Sequence, residues 1–150
     1  MPVLNQFTPD VNTKMKDAGL IAADARWQVS AANQYLDLGG AAEVGRIDAN
    51  LHIEVTAIEI ASNDELYKLH FQLSTSATFA SVIVSPLIVE LGALEVLTGL
   101  QDTDSATGHY VFPVSNDFGG TLYRYCSGYT DVAGAIATGI NFDAWLDFGH

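Results

Sequence analysis

Gly134-Ala-Ile-Ala-Thr-Gly-Ile-Asn-Phe-Asp-Ala-Trp-Leu-Asp-Phe148 is the stretch that decides the fold. Ile136, Ile140, Phe142, Leu146 and Phe148 share one parity with Thr138 and Ala144. Ala137, Asn141, Asp143 and Asp147 share the other, and Trp145 is the one large apolar residue out of phase. Successive side chains of a strand point to opposite faces, so a period of two marks a strand with one face in a core and the other in water. The same rhythm recurs upstream. Leu51-His-Ile-Glu-Val-Thr56 alternates, and Tyr67, Leu69, Phe71 and Leu73 alternate with Lys68, His70 and Gln72. The polar run Ser62-Asn-Asp-Glu65 between these two segments predicts that they form a hairpin.

Further strands are predicted at Arg26–Ser30 and Tyr35–Leu38 around an Ala-Ala-Asn turn, with Gly39-Gly40 ending the second. Phe79–Val84 and Leu87–Val96 follow, parted by Ser85-Pro86, and then His109–Val114, Leu122–Tyr129 and Ala135–Phe148. Asp102–Gly108 reads as a polar loop, with turns at Asn116–Gly120 and Gly128–Ala133. Roughly eight or nine short strands with turn chemistry between them predict an all-β sandwich or barrel. A jelly roll fits best and an immunoglobulin-like sandwich second. Residues 1–25 differ from this body, which is expected to run over 26–150. They carry scattered apolar residues (Val3, Leu4, Phe7, Met15, Leu20, Ile21) without a sustained period. They read as an N-terminal arm with a possible short helix over Asp17–Ala25, weakened by Gly19. The apolar residues call for something to pack on, the body or a partner.

With 150 residues the chain has room for one domain with a real core. Eighteen acids against six bases give a net charge of −12, which repels phosphate and disfavours nucleic acid and anionic membrane as partners. Lys14, Lys16, Arg26, Arg46 and Lys68 lie in the first half and only Arg124 in the second, so the N-terminal segment can dock where the body is repelled. Cys126 is the single cysteine, so no internal disulfide staples the fold, and it reads as a small buried hydrophobe. No basic segment followed by an apolar one opens the sequence, so synthesis without export by a secretory leader is expected. The most apolar run, Phe79–Leu97, is interrupted by Ser81, Ser85, Pro86, Glu90 and Glu95 and does not read as a membrane span.

Reaction chemistry is sparse. His52, His70, His109 and His150 fall in no metal-ligand motif, although His52 and His70 would face each other across the predicted hairpin, where a cross-strand pair can bind a metal. Asp102-Thr-Asp104 with Ser105, Thr107 and Gly108 has the oxygen-rich composition of a calcium loop but lacks the glycine placement and terminal Glu of an EF-hand. Glu54, Glu59, Glu90, Glu95, Asp143 and Asp147 supply strand carboxylates, and nothing in the spacing selects the facing pair that a glycosidase needs. No nucleophile elbow and no phosphate loop occur. No cofactor and no catalytic residue is therefore expected. Tyr123, Arg124, Tyr125 and Tyr129 form an aromatic–cation cluster that reads either as an interface anchor or as a structural ion pair. Trp27 and Trp145 read as core residues before they read as a sugar platform.

Asp37-Leu-Gly39, Gly45-Arg46, the strand bearing Gln72-x-Ser74, then Phe79, Arg124-Tyr125, Gly134 and the final alternating strand occur in an order that resembles the jelly-roll capsid cement (decoration) proteins of tailed bacteriophages. The resemblance runs from about Val29 to the C-terminus. The irregular N-terminal arm and the acidic Trp-Leu-Asp-Phe ending depart from it. It implies a jelly roll on the outside of an icosahedral head, made in the host cytoplasm and carried on the virion. Small homo-oligomers, dimers or trimers, would bridge neighbouring copies of the major capsid protein. It implies no catalytic residues. Asp37, Gly39, Gly45 and Arg46 become turn and strand-end positions, with Gly39 and Gly45 free to take positive φ and Asp37 able to accept backbone hydrogen bonds. Leu4, Phe7, Lys14 and Lys16 are the expected capsid contacts of the arm, and Arg124 and Tyr125 the expected subunit contacts. The alternatives are a carbohydrate-binding β-sandwich, which needs an exposed aromatic row, and a small β-sandwich hydrolase, which needs facing carboxylates.

Overall fold

A computed structural model of the chain describes residues 13–39, 45–98 and 103–148. Leu4, Phe7, Gly40, Asp102 and His150 lie outside the described residues. In chain order the strands are β1 (Lys14–Lys16), β2 (Leu20–Ile21), β3 (Ala25–Arg26), β4 (Gln28–Val29), β5 (Ala32–Asn33), β6 (Leu36–Asp37), β7 (Asp48–Ile58) and β8 (Leu66–Ser74). They continue as β9 (Ile83–Gly92), β10 (Gly108–Ser115), β11 (Asp117–Phe118), β12 (Thr121–Leu122), β13 (Tyr125–Ala133) and β14 (Ile140–Asp147). No α-helix occurs among the described residues, and Leu94–Val96 makes a single 3₁₀ turn.

The protein is all-β, as its two-residue rhythm predicts. Two antiparallel sheets carry the long strands. The first runs β1–β14–β7–β10, with β2 also paired to β14. The second runs β3–β13–β8–β9, with β6 also paired to β13. Two small ribbons, β4–β5 and β11–β12, complete the structure. Tyr67, Leu69, Phe71 and Leu73 of the second sheet join Leu51, Ile53, Val55, Ile140, Phe142, Ala144 and Leu146 of the first in one buried cluster. The parity read from sequence is the parity of burial. In β7 the phase shifts by one after Val55, where a bulge opposite Asn141/Phe142 brings Ile58, rather than Ala57, level with Ile140.

Trp27 joins the two sheets. Its side chain is fully buried, its Nε1 donates to Thr130 Oγ1 at 2.8 Å, and its ring meets Phe142 of the first sheet edge-on at 5.2 Å. The ring lies flat on the backbone of Gly128, where an added Cβ would sit 1.9 Å from Trp27 Cε3. A residue with any side chain has no room at that point of β13.

Several expectations need correcting. Gly128–Ala133 is not a turn but part of β13, and the segments 51–56 and 66–73 do not form a hairpin. β7 and β8 belong to different sheets, and the loop between them crosses from one to the other. Both strands need their apolar face toward the same core, and placing them on opposite sheets achieves that with facing rather than adjacent strands. Glu65, buried at the corner, accepts backbone N–H bonds from Ser62 and Asp64. Secondly, Ser85-Pro86 does not divide two strands. β9 runs through it, and both residues stand opposite the single residue Gln72 as a bulge on an edge strand. Pro113 is on β10, the edge strand of the first sheet. Thirdly, Asp17–Ala25 is not helical, and residues 14–21, placed in the arm by sequence, are β1 and β2 of the first sheet. Their pairing with β14 overrides weak local propensity. Finally, Gly45 takes no left-handed φ, whereas Gly134 (φ +100°) and Gly139 (φ +91°) do, each pressed against backbone at the turn into β14. That turn occupies the start of the predicted Ala135–Phe148 strand, which begins only at Ile140.

Gly128→Ala is expected to destabilise the protein by about 3 kcal/mol or more through overpacking against Trp27. Gly119→Ala, at φ +62° with open space around it, should cost only about 1–2 kcal/mol of backbone strain. Chemical denaturation of the two variants beside the parent checks the difference.

Candidate functional site

The densest chemistry lies on the outer face of the first sheet. Alternation along β7, β10 and β14 puts Glu54 and His52, His109 and Val111, and Trp145 and Asp147 on that face. Register then sets the neighbours: His52 stands between Trp145 and Val111, and Glu54 between Asp143 and His109. His52 Nδ1 and His109 Nε2 face each other at 2.8 Å. The other nitrogens face carboxylates, His109 Nδ1 at 2.9 Å from Glu54 and His52 Nε2 at 3.6 Å from Asp147. The His52 ring stacks on Trp145 at 5.1 Å and the His109 ring meets it edge-on at 5.4 Å, so the out-of-phase Trp145 is buried beneath two imidazoles. Burial, then the neighbouring His109, pushes the His52 pKa down, against the pull of Asp147.

The sequence pairs His52 with His70. That pairing required the hairpin and fails with it. His70 sits on the other sheet, bonded to Asp131 at 2.8 Å and Ser85 at 3.1 Å. His109 was missed because its partner depends on the β7–β10 register, which no local signal encodes. Among the described residues no three His, Cys, Asp or Glu side chains converge on one metal position.

On the outer face of the second sheet Arg124 forms a two-pronged pair with Asp37, Nε to Oδ1 at 2.8 Å and Nη2 to Oδ2 at 2.7 Å, and lies 5.1 Å from the Tyr125 ring. The hydrogen bonds from Arg124, with one from the Gly39 N–H, hold the Asp37 carboxyl down at about 2. Asp37 thus does accept a backbone bond as expected, and the structural ion pair is the reading of Arg124 that the geometry favours. Arg46 likewise pairs with Asp48 and Asp117, both at 3.1 Å. The resembling positions Gln72 and Phe79 meet around Arg26. Arg26 donates to Gln72 at 2.6 Å and lies within 4.9–6.0 Å of the rings of Phe79, Tyr129 and Tyr35.

Lys14 and Lys16, expected as capsid contacts, are engaged within the fold. Lys14 pairs with Asp17 at 2.9 Å. Lys16 is buried, and its Nζ donates to the carbonyls of Asp17, Gly19 and Phe142 at 2.9, 2.9 and 2.6 Å, above the Phe142 ring. Burial lowers its pKa from 10.5 to about 8, with Asp143 and Asp17 acting in the opposite direction.

Two of the carboxylates that the sequence places on strands, Glu59 and Glu90, are engaged by groups of the fold. Glu59 accepts the backbone N–H groups of Ala137, Thr138 and Gly139, which lower its pKa, and Glu90 accepts from Thr98. Asp104 pins the Leu94 N–H at 2.8 Å. A shallow depression of about 590 Å³ runs along residues 16–31, and its two acids, Asp17 and Asp24, are taken by the N–H groups of Ser30 and Val132. Trp27 is in the core, and Cys126 is buried with its thiol pushed up by burial. No protein-family model and no curated protein matches this chain.

The Lys16 shift has a definite sign. Between about pH 8 and 10.5 the unfolded chain holds the Lys16 proton more tightly than the folded one, so this residue makes stability rise with pH across that window. Lys16→Met removes the contribution. The stability difference between parent and variant should move in favour of the parent above pH 8, by at most about 1.4 kcal/mol per pH unit. Denaturant titrations at several pH values check it.

Proposed function

We propose that the protein is a capsid cement protein of a tailed bacteriophage, bound to the outside of the head and bridging copies of the major capsid protein. The strand order carries this reading. With β1 and β2 counted as the first position, β3 to β6 as the second and β11–β12 left out, the first sheet reads 1-8-3-6 and the second 2-7-4-5. That order supports the jelly-roll reading, in which two Greek keys interleave between two sheets. It agrees with the family that the motif order resembles, and the resembling residues are strand-end braces: Asp37 with Arg124, Arg46 with Asp48 and Asp117, and Gln72 with Arg26.

The physics of the role needs rigidity and contact surface rather than a reaction. A protein that binds only the assembled shell lowers the free energy of that state by mass action. A contact of about 1,600 Å² per copy is modest alone and decisive when repeated over a lattice. Exposed apolar side chains mark available contact surface: Val82, Ile83 and Ile88 along β9 and the loop before it, Val111 on β10, and Phe118 at the β11–β12 turn. Half-buried Tyr125 with Arg124 offers an aromatic–cation anchor between subunits. Lys16 drops out of the proposed capsid contact because its ammonium is enclosed. Leu4 and Phe7 remain in it.

The carbohydrate-binding reading is favoured by one observation, the Tyr35, Phe79 and Tyr129 rings on the outer face of the second sheet. Those rings are occupied by Arg26 of the same chain, which makes it the weaker reading. A glycan array or calorimetric screen that yields a saturable ligand would promote it.

Full-length protein carrying Leu4→Asp and Phe7→Asp should lose co-sedimentation with empty phage heads while its thermal unfolding stays that of the parent. Tyr125→Ala should shift self-association toward monomer in sedimentation velocity. Full decoration of heads by the double variant would remove the arm from the mechanism. Failure of the parent chain to bind phage heads would remove the function.

A further inference from the structure

The histidine pair on the outer face of the first sheet has the geometry of a two-point metal ligand. His109 Nδ1 and His52 Nε2 each face a carboxylate, Glu54 at 2.9 Å and Asp147 at 3.6 Å. An ionised carboxylate only accepts hydrogen bonds, so His109 Nδ1 keeps its proton and His109 Nε2 is the acceptor, whereas Asp147 at 3.6 Å is too far to fix the His52 tautomer in that way. A neutral imidazole has one N–H. At 2.8 Å His52 Nδ1 then donates to His109 Nε2, which holds the two nitrogens facing each other on one side of the sheet. A metal ion bound by both nitrogens would take the place of that hydrogen bond.

The surroundings are those of a metal ligand pair. A carboxylate behind an imidazole is the arrangement that fixes the tautomer and the ring orientation of metal-bound histidines. With metal–nitrogen bonds of about 2.0–2.1 Å, two ligands at right angles hold their nitrogens about 2.9 Å apart, and two at the tetrahedral angle about 3.3–3.4 Å. The observed 2.8 Å matches the right-angled case. Adjacent positions of a tetragonal site are at right angles, and imidazole nitrogen in that geometry suits Cu²⁺ and Ni²⁺, with Cu²⁺ bound more tightly.

We propose that His52 Nδ1 and His109 Nε2 chelate one Cu²⁺ or Ni²⁺ ion on the outer face of the first sheet, with Asp147 and Glu54 orienting the two rings. The ion takes the place of the hydrogen bond between the rings, and the His52 proton moves from Nδ1 to Nε2, the nitrogen that faces Asp147. No third protein ligand converges there among the described residues, and water completes the shell on the solvent side of half-exposed His109. The site is independent of whether the protein decorates a capsid.

Trp145 reports on the site directly, lying 5.1 Å from the His52 ring and 5.4 Å from that of His109. Untagged full-length protein titrated with CuCl₂ should show saturable quenching of Trp145 fluorescence and calorimetric binding at one equivalent. Trp145→Phe should keep the calorimetric signal and lose most of the quenching. His109→Gln, at an exposed position and able to hydrogen-bond His52, should fold as the parent does by circular dichroism and bind at least tenfold more weakly. Glu54→Gln should weaken binding about tenfold. His70→Gln, on the other sheet, should change nothing. Absence of saturable one-to-one binding by the parent would show that a proton alone holds the pair. Undiminished binding by folded His109→Gln would show that copper sits elsewhere. Either result overturns the proposal.

Discussion

The structure depends on one contact, the indole of Trp27 lying flat on Gly128. Trp27 sits between two very short strands that have little cohesion of their own. Its backbone N–H bonds the Gly128 carbonyl at 2.9 Å and its indole N–H bonds Thr130, so main chain and side chain both fasten this segment to β13. The ring then reaches Phe142 on the opposite sheet. Two sheets about 10 Å apart need large side chains to fill the space between them, and a tryptophan that starts beside the second sheet and ends against the first does so in one residue. The absence of a side chain at Gly128 makes the geometry possible.

The acidity of the chain has a structural use that composition does not reveal. With three times as many acids as bases, most carboxylates cannot be salt-bridged. Many accept main-chain N–H groups instead. Glu59 holds the turn into β14, Glu65 the corner between β7 and β8, Asp64 the Ala135 N–H, Asp24 the Val132 N–H and Asp104 the Leu94 N–H. These are connections where the chain leaves a sheet and its amides lose their ladder partners. A charge-assisted bond to a carboxylate satisfies such an amide more strongly than a neutral acceptor does. The excess of acids therefore also fastens the corners of the sandwich.

The two outer faces differ in character, which bears on what the protein does. The second sheet carries an arginine enclosed by three rings and a two-pronged Arg–Asp brace, all satisfied internally. The first carries a histidine pair backed by carboxylates over a buried tryptophan. A cement protein requires only that such a body be stiff and present contact surface. Under the proposed role the exposed apolar residues near the β9 and β10 edges would supply that surface, and Pro86 and Pro113 interrupt the edges against indiscriminate pairing.

Local periodicity determined the all-β class, the inward parity of Leu51 to Val55, of Tyr67 to Leu73 and of Ile140 to Leu146, and the burial of Trp27 and Cys126. Each of these follows from the alternation of side chains along a single strand, or from the apolar character of a single residue, and both are written in the sequence. Tertiary structure alone decided which strands are neighbours. It separated β7 from β8, carried β9 through a proline by a bulge, turned Lys16 of the supposed arm inward, and replaced His70 with His109 as the partner of His52. Two-residue rhythm specifies a face but not a register or a sheet. Register is set by cross-strand packing between segments far apart in the chain, and the chemistry of the His52 site exists only where that register brings three strands together.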